Sequence, residues 1–84
     1  MVTKELTVEG KSGLESKPAA LFIQKASSYK SSIWIEREER KANAKSLLGL
    51  LSLSIGYGTR ITITAEGEDE EKAIEELGEY INCL

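Results

Sequence analysis

The chain alternates between stretches in which every second residue is apolar and stretches in which apolar residues recur every three or four positions. The period of two predicts strands, and the longer period predicts amphipathic helices. Strands are predicted near residues 2–8, 33–35, 41–43 and 60–65. Helices are predicted at residues 19–27, from 47 to about 53, and after Asp69, where apolar side chains recur at helical spacing through Ile81.

The predicted element order is β-α-β-β-α-β-α. Each strand has one apolar side, with Lys4 as an exception on the inward side of the first strand. Three helices can cover that apolar side of a four-stranded antiparallel sheet and leave the other side to solvent. The sequence therefore predicts an α+β open-faced β-sandwich, formed by a single domain over residues 1–84.

The ends of the helices have recognisable signals. Ser16 is predicted to cap the first helix, with Pro18 in the first turn, where a missing N–H costs nothing. The apolar face of that helix is predicted to contain Leu21, Phe22, Ala26 and Tyr29. Ser46 is a candidate cap for the short second helix, and Asp69 for the last one.

The net charge of −3 conceals an uneven distribution. Residues 1–64 carry ten Lys and Arg against six Glu, whereas residues 65–84 carry eight acids against Lys72. One interpretation is a solvated acidic helix at the C-terminal end. Another is that the mildly basic remainder faces acidic protein partners. Nucleic acid is not expected as a direct partner, because the chain lacks a concentrated basic patch.

The chain has no histidine, and Cys83 is its single cysteine. An intramolecular disulfide is therefore impossible, which favours a reducing, cytoplasmic setting, with Cys83 as an incidental thiol. A zinc site of the usual nitrogen and sulfur type is not expected, and no cofactor is predicted. The apolar runs are too short for a membrane span, and residues 1–5 do not resemble a signal peptide.

Three separated motifs carry a family resemblance. Gly13 and Leu14 precede Pro18-Ala19-Ala20, residues 41–50 read KANAKSLLGL, and residues 67–70 read GEDE. In this order and at this spacing the motifs resemble the histidine-containing phosphocarrier protein (HPr) of the sugar phosphotransferase system. The fold that the resemblance implies agrees with the predicted order of elements.

The resemblance implies that the first functional site of the family is degenerate here. Glu15 stands at the position of the phosphorylated histidine, Ser16 at that of an alanine and Lys17 at that of an arginine. The chain is therefore not expected to be a histidine phosphocarrier. Three roles remain open for Glu15: acceptance of phosphate as an acyl phosphate in an altered relay, imitation of phosphohistidine in a constitutive decoy module, or simple drift to a solvated residue.

The second site that the resemblance implies is Ser46. In some members of the family, an ATP-dependent HPr kinase/phosphorylase phosphorylates this serine, and the product binds a LacI-type catabolite control protein as corepressor. The alternative is that Ser46 is only a helix cap. We expect Leu47, Leu51 and Leu48 to be partly exposed for docking. The candidate partner-binding residues are Lys17, Lys45, Ser46, Leu47, Leu48 and Leu51.

The leading hypothesis is a non-enzymatic regulatory protein of carbon catabolite repression that is switched by phosphorylation. The missing histidine is shared with the catabolite-repression members of the family. Relatives of that type can exchange their first strand to form dimers, so a homodimer is possible for this chain.

Overall fold

A computed structural model describes residues 1–9 and 16–82 of the chain. The predicted order of elements is confirmed. The strands are β1 (Val2–Thr7), β2 (Ser32–Arg37), β3 (Arg40–Asn43) and β4 (Arg60–Glu66), and the helices are α1 (Ser16–Ala26), α2 (Leu47–Ser52) and α3 (Glu70–Asn82).

The four strands form one antiparallel sheet in the order β1-β4-β2-β3. In β4, Ile61, Ile63 and Ala65 are buried, as the strict alternation predicts. The register places Ile63 opposite Ile35 of β2, so the apolar side chains of neighbouring strands lie on the same face. The predicted α+β open-faced sandwich is therefore confirmed.

The core lies between this sheet face and the three helices. Phe22 of α1, Leu50 of α2, and Leu77 and Ile81 of α3 are fully buried within it. Each such side chain contributes about 1.5–3 kcal/mol relative to an exposed one. Leu50 is the buried residue of the six-residue helix α2, whose other leucines are exposed.

Two details of α1 differ from the sequence prediction. Within the described residues the helix already includes Ser16, so Ser16 is a helical residue and not the capping residue before the helix. Leu21 is 45% exposed, although it was predicted to face the core. The buried stripe consists of Ala19, Phe22 and Ala26 at spacings of three and four, and Leu21 lies one residue, or about 100°, away from it.

The start of α3 also differs from the prediction that the Asp69 side chain caps the helix. The backbone carbonyl of Asp69 accepts the first helical bond from Ala73 N–H, at 2.9 Å. Its carboxylate instead accepts hydrogen bonds from the N–H groups of Lys30 and Ser31 and from the Ser31 hydroxyl. These donors lower the pKa of Asp69 from 3.8 to about 2, with the Ser31 hydroxyl as the largest cause.

Candidate functional site

Ser46 lies at the end of a tight turn that connects β3 to α2. Its backbone N–H donates to the carbonyl of Asn43 at 3.0 Å. The N–H of Ala44 donates to the carbonyl of Ile33 at 2.9 Å, and this second bond fixes the turn to β2. Ser46 has extended backbone angles, and its Oγ accepts from the N–H of Gly49 at 3.1 Å. The prediction that Ser46 caps this helix is confirmed.

Gly49 allows the first turn of α2 to approach both the turn and β3. A Cβ at this position would lie 3.1 Å from Cβ of Ala42 and 3.3 Å from Oγ of Ser46. Both contacts are tighter than ordinary van der Waals contact. The absent side chain therefore lets the Gly49 N–H reach the serine hydroxyl.

Three leucines of α2 form an exposed apolar surface beside Ser46. Leu47, Leu48 and Leu51 are 44%, 82% and 42% exposed, respectively, and we call these three residues the α2 leucine patch. Their predicted exposure is confirmed, and Leu48 is the most exposed of the three. Leu21 adds an exposed leucine on α1, which sequence reasoning missed because a leucine at helical spacing was assigned to the core.

Lys45 is half-buried, although it was predicted to contact a partner. Its Nζ donates to the carbonyl oxygens of Tyr29 and Ser31, at 3.0 Å each. Its backbone N–H donates to the side chain of Asn43 at 2.8 Å. Lys45 therefore already has partners within the chain, and its role in binding another protein stays a prediction.

Two arginines from β2 and β3 hold the C-terminal end of α2. Arg37 donates to the carbonyls of Leu53 and Ser54 at 2.7 and 2.8 Å, and Arg40 donates to that of Ser52 at 3.3 Å. Positive charge is favourable at this end of a helix, where carbonyls lack helical partners. Sequence reasoning missed these contacts because no local motif signals them.

Of the degenerate first site that the resemblance implies, only part lies within the described residues. Glu15 lies outside them, whereas Lys17 is exposed in the first turn of α1. The Tyr80 hydroxyl donates to the carbonyl of Pro18 at 3.1 Å, and the Tyr80 ring lies 6.0 Å from that of Phe22. The start of α1 is therefore fixed to α3, and burial raises the pKa of Tyr80.

Within residues 1–9 and 16–82, no group of three or more Cys, Asp or Glu side chains is arranged to hold a metal ion. The same part of the chain has no helix long and apolar enough to cross a membrane. Cys83 lies outside the described residues.

Comparison with known families identifies the family of the chain. A family model described as the HPr component phosphorylation site of the phosphotransferase system matches residues 2–82. The chain belongs to the HPr family. The motifs at residues 13–20, 41–50 and 67–70 all lie within the matched region.

Individual relatives support this family assignment. The chain is 49% identical to the HPr-like protein Crh of Halalkalibacterium halodurans, over 96% of each chain. The HPr crystal structure from Bacillus anthracis superposes with a TM-score of 0.93 at 48% identity, over 95% of each chain. A crystal structure of Bacillus subtilis Crh, described as a domain-swapped dimer, has a TM-score of 0.77 at 44% identity, over 96% of this chain and 93% of that one.

Proposed function

We propose that this chain is a non-enzymatic regulatory protein of carbon catabolite repression whose switch is phosphorylation of Ser46. The observation that carries the proposal is the position of the Ser46 hydroxyl, which caps α2 immediately beside the exposed α2 leucine patch. One modification can therefore add charge at the edge of an apolar docking surface without a change of fold.

The local chemistry is compatible with a phosphate on Ser46. In its hydrogen bond with Gly49, the serine oxygen is the acceptor, so loss of the hydroxyl proton removes no donor from that bond. A phosphate adds roughly 1.5–2 negative charges and strong acceptor oxygens. It would stand where α2 presents its unpaired N–H groups, which is the end of a helix that favours negative charge.

The surroundings favour a partner with acidic and apolar groups, together with Arg or Lys for the phosphate. Neither α1 nor α2 contains an acidic residue, and α1 carries the basic residues Lys17 and Lys25. The kinase would be the ATP-dependent HPr kinase/phosphorylase of the family, and the regulator a LacI-type catabolite control protein. The similarity to Crh, which one solved structure describes as the catabolite repression HPr of Bacillus subtilis, supports a role in catabolite repression.

The proposal excludes histidine phosphotransfer because the chain contains no histidine. Glu15, at the corresponding position, is proposed to take no part in a relay, and Lys17 is proposed to contact the regulator. A homodimer is also proposed, because structures of Crh are described as dimers. An exchange of β1 is the route by which such a dimer would form.

The test is a titration of the purified catabolite control protein with this chain, either unmodified or phosphorylated on Ser46. We expect phosphorylation to tighten binding at least about tenfold, a difference of about 1.4 kcal/mol. Leu48→Ala should weaken binding of the phosphorylated form. Tyr57→Ala is the matched control, since Tyr57 is 70% exposed but lies outside α2. Equal binding of the unmodified and phosphorylated forms would refute the switch.

A further inference from the structure

The ammonium group of Lys45 is engaged in an unusual way for a lysine next to a candidate modification site. Lysine side chains are rarely buried, and their charge normally remains in water. Lys45 instead directs its Nζ to two backbone carbonyls, those of Tyr29 and Ser31, in the loop between α1 and β2. This contact joins the turn that carries Ser46 to a segment 14 to 16 residues away in the chain.

The loop that receives Lys45 is itself held from its other side. The carboxylate of Asp69 accepts from the N–H groups of Lys30 and Ser31, at 2.9 and 3.0 Å, and from the Ser31 hydroxyl. Two carbonyls of this loop, those of Tyr29 and Ser31, are therefore bound by a cation, and two of its N–H groups, those of Lys30 and Ser31, are bound by an anion. We call the backbone of residues 29–31, together with the side chains of Ser31, Lys45 and Asp69, the Lys45–Asp69 clamp.

The clamp affects the position of Ser46, the residue that follows Lys45. The turn over residues 43–46 is short, and Ser46 N–H is bonded within it to the Asn43 carbonyl. Displacement of Lys45 would therefore move Ser46 relative to Gly49, whose N–H orients the hydroxyl. A phosphoryl acceptor must be held in a near-attack geometry, and a misplacement of about 1 Å can cost roughly a hundredfold in rate.

We propose that Lys45 is a positioning residue for Ser46, which it holds in place through the Lys45–Asp69 clamp. This inference rests on the proposed function. It assigns Lys45 a role different from direct contact with a partner, because two of its three N–H donors are used within the chain.

The test measures initial rates of ATP-dependent phosphorylation by HPr kinase/phosphorylase, with the concentration of the chain varied to separate kcat from KM. Lys45→Met keeps the aliphatic stem but removes the ammonium. We expect its kcat to fall about tenfold while KM stays within about twofold, since the lost contact orients the acceptor and does not bind the kinase. Lys45→Arg, which can also donate to two carbonyls, should recover most of the lost kcat.

The control is Lys30→Met, which removes a second lysine beside the same loop. The Lys30 side chain is 81% exposed, and its ammonium lies 3.6 Å from the carboxylate of Glu68, whose side chain is equally exposed. Only the backbone N–H of Lys30 belongs to the clamp, so removal of the ammonium should change neither kcat nor KM. Each variant is assayed at a temperature at which circular dichroism shows that it is folded. A contribution of Lys45 to stability alone would then leave kcat unchanged.

Asp69→Asn tests the clamp from its far end, without altering α2 or Lys45, and serves if Lys45→Met does not fold. The amide nitrogen that replaces one carboxylate oxygen cannot accept from a backbone N–H, so we expect a roughly threefold fall in kcat with KM unchanged. A rise in KM for Lys45→Met with kcat intact would show direct kinase contact and overturn the proposal. Unchanged kinetics for Lys45→Met or Asp69→Asn would also overturn it. A wild-type chain that the kinase does not phosphorylate would refute the proposed function itself, and this inference with it.

Discussion

Replacement of Gly67 by alanine should destabilise the fold strongly, because the loop before α3 passes directly against the loop before β2. A Cβ at Gly67 would lie 2.6 Å from Cα and 2.7 Å from Oγ of Ser31. The nearest of these atoms is backbone, so the clash cannot be relieved by a change of rotamer alone. Gly67 also has a φ of 156°, which is unfavourable for a residue with a side chain.

The expected cost can be separated into two parts. Overpacking of a close contact costs typically about 1–3 kcal/mol. The backbone conformation adds roughly 1 kcal/mol. We therefore expect a loss of about 2–4 kcal/mol in the free energy of unfolding. For a domain of this size, each kcal/mol shifts Tm by roughly 4–8 °C, so Tm should fall by at least about 8 °C.

Two other glycines of the chain provide matched controls for urea and thermal unfolding. A Cβ at Gly58 would meet nothing within 4 Å, but φ is 81°, so Gly58→Ala should cost only the backbone term, about 1 kcal/mol. Gly56 has neither a close neighbour nor a positive φ, and Gly56→Ala should be neutral or slightly stabilising. If Gly67→Ala lost no more stability than Gly58→Ala, this result would refute the close approach of Gly67 to Ser31 between the two loops.

Three further predictions concern the C-terminal end of α2, the clamp and the degenerate site. Arg37→Met should lower the free energy of unfolding by about 1–2 kcal/mol in urea titrations, because two charge-assisted hydrogen bonds are lost. The control is Arg60→Met, which removes an exposed ion pair with Glu5 and should cost less than about 0.5 kcal/mol. The pKa of Asp69 is lowered from 3.8 to about 2 in the folded chain. The ionised carboxylate therefore adds its full share to the free energy of unfolding above about pH 4, and this share is lost as the pH falls towards 2. The wild type should therefore exceed Asp69→Asn in stability at pH 6, and the gap should close near pH 2; a gap independent of pH would contradict this assignment. The double variant Glu15→His with Lys17→Arg should accept phosphate from phosphoenolpyruvate and enzyme I, and failure to do so would show that the docking surface has changed as well.

The elements that the sequence predicted well are those determined by local pattern. Alternation in residues 60–65 places Ile61 and Ile63 inward in β4, and Ser46 before the apolar run of α2 marks a helix cap. These signals depend only on near neighbours, so they can be read without knowledge of the fold. The exposure of the α2 leucine patch was also anticipated, but from the family resemblance and not from periodicity.

The contacts that the sequence did not predict all join residues distant in the chain. Lys45 reaches Tyr29 and Ser31, and Arg37 reaches the carbonyls that follow α2. Asp69 precedes α3 as a typical cap would, yet the donors of residues 30 and 31 occupy its carboxylate. A polar side chain binds whichever unpaired backbone groups the tertiary fold brings near it, and a one-dimensional pattern does not contain that information.

The central claim is that Ser46 is the phosphorylated residue of a chain that no longer carries phosphate on histidine. Intact mass spectrometry after two parallel incubations tests it directly, one with HPr kinase/phosphorylase and ATP, the other with enzyme I and phosphoenolpyruvate. We predict one added phosphate in the first incubation, its absence in Ser46→Ala, and no addition in the second. Phosphate added only in the second incubation, or added equally to Ser46→Ala in the first, would contradict the account.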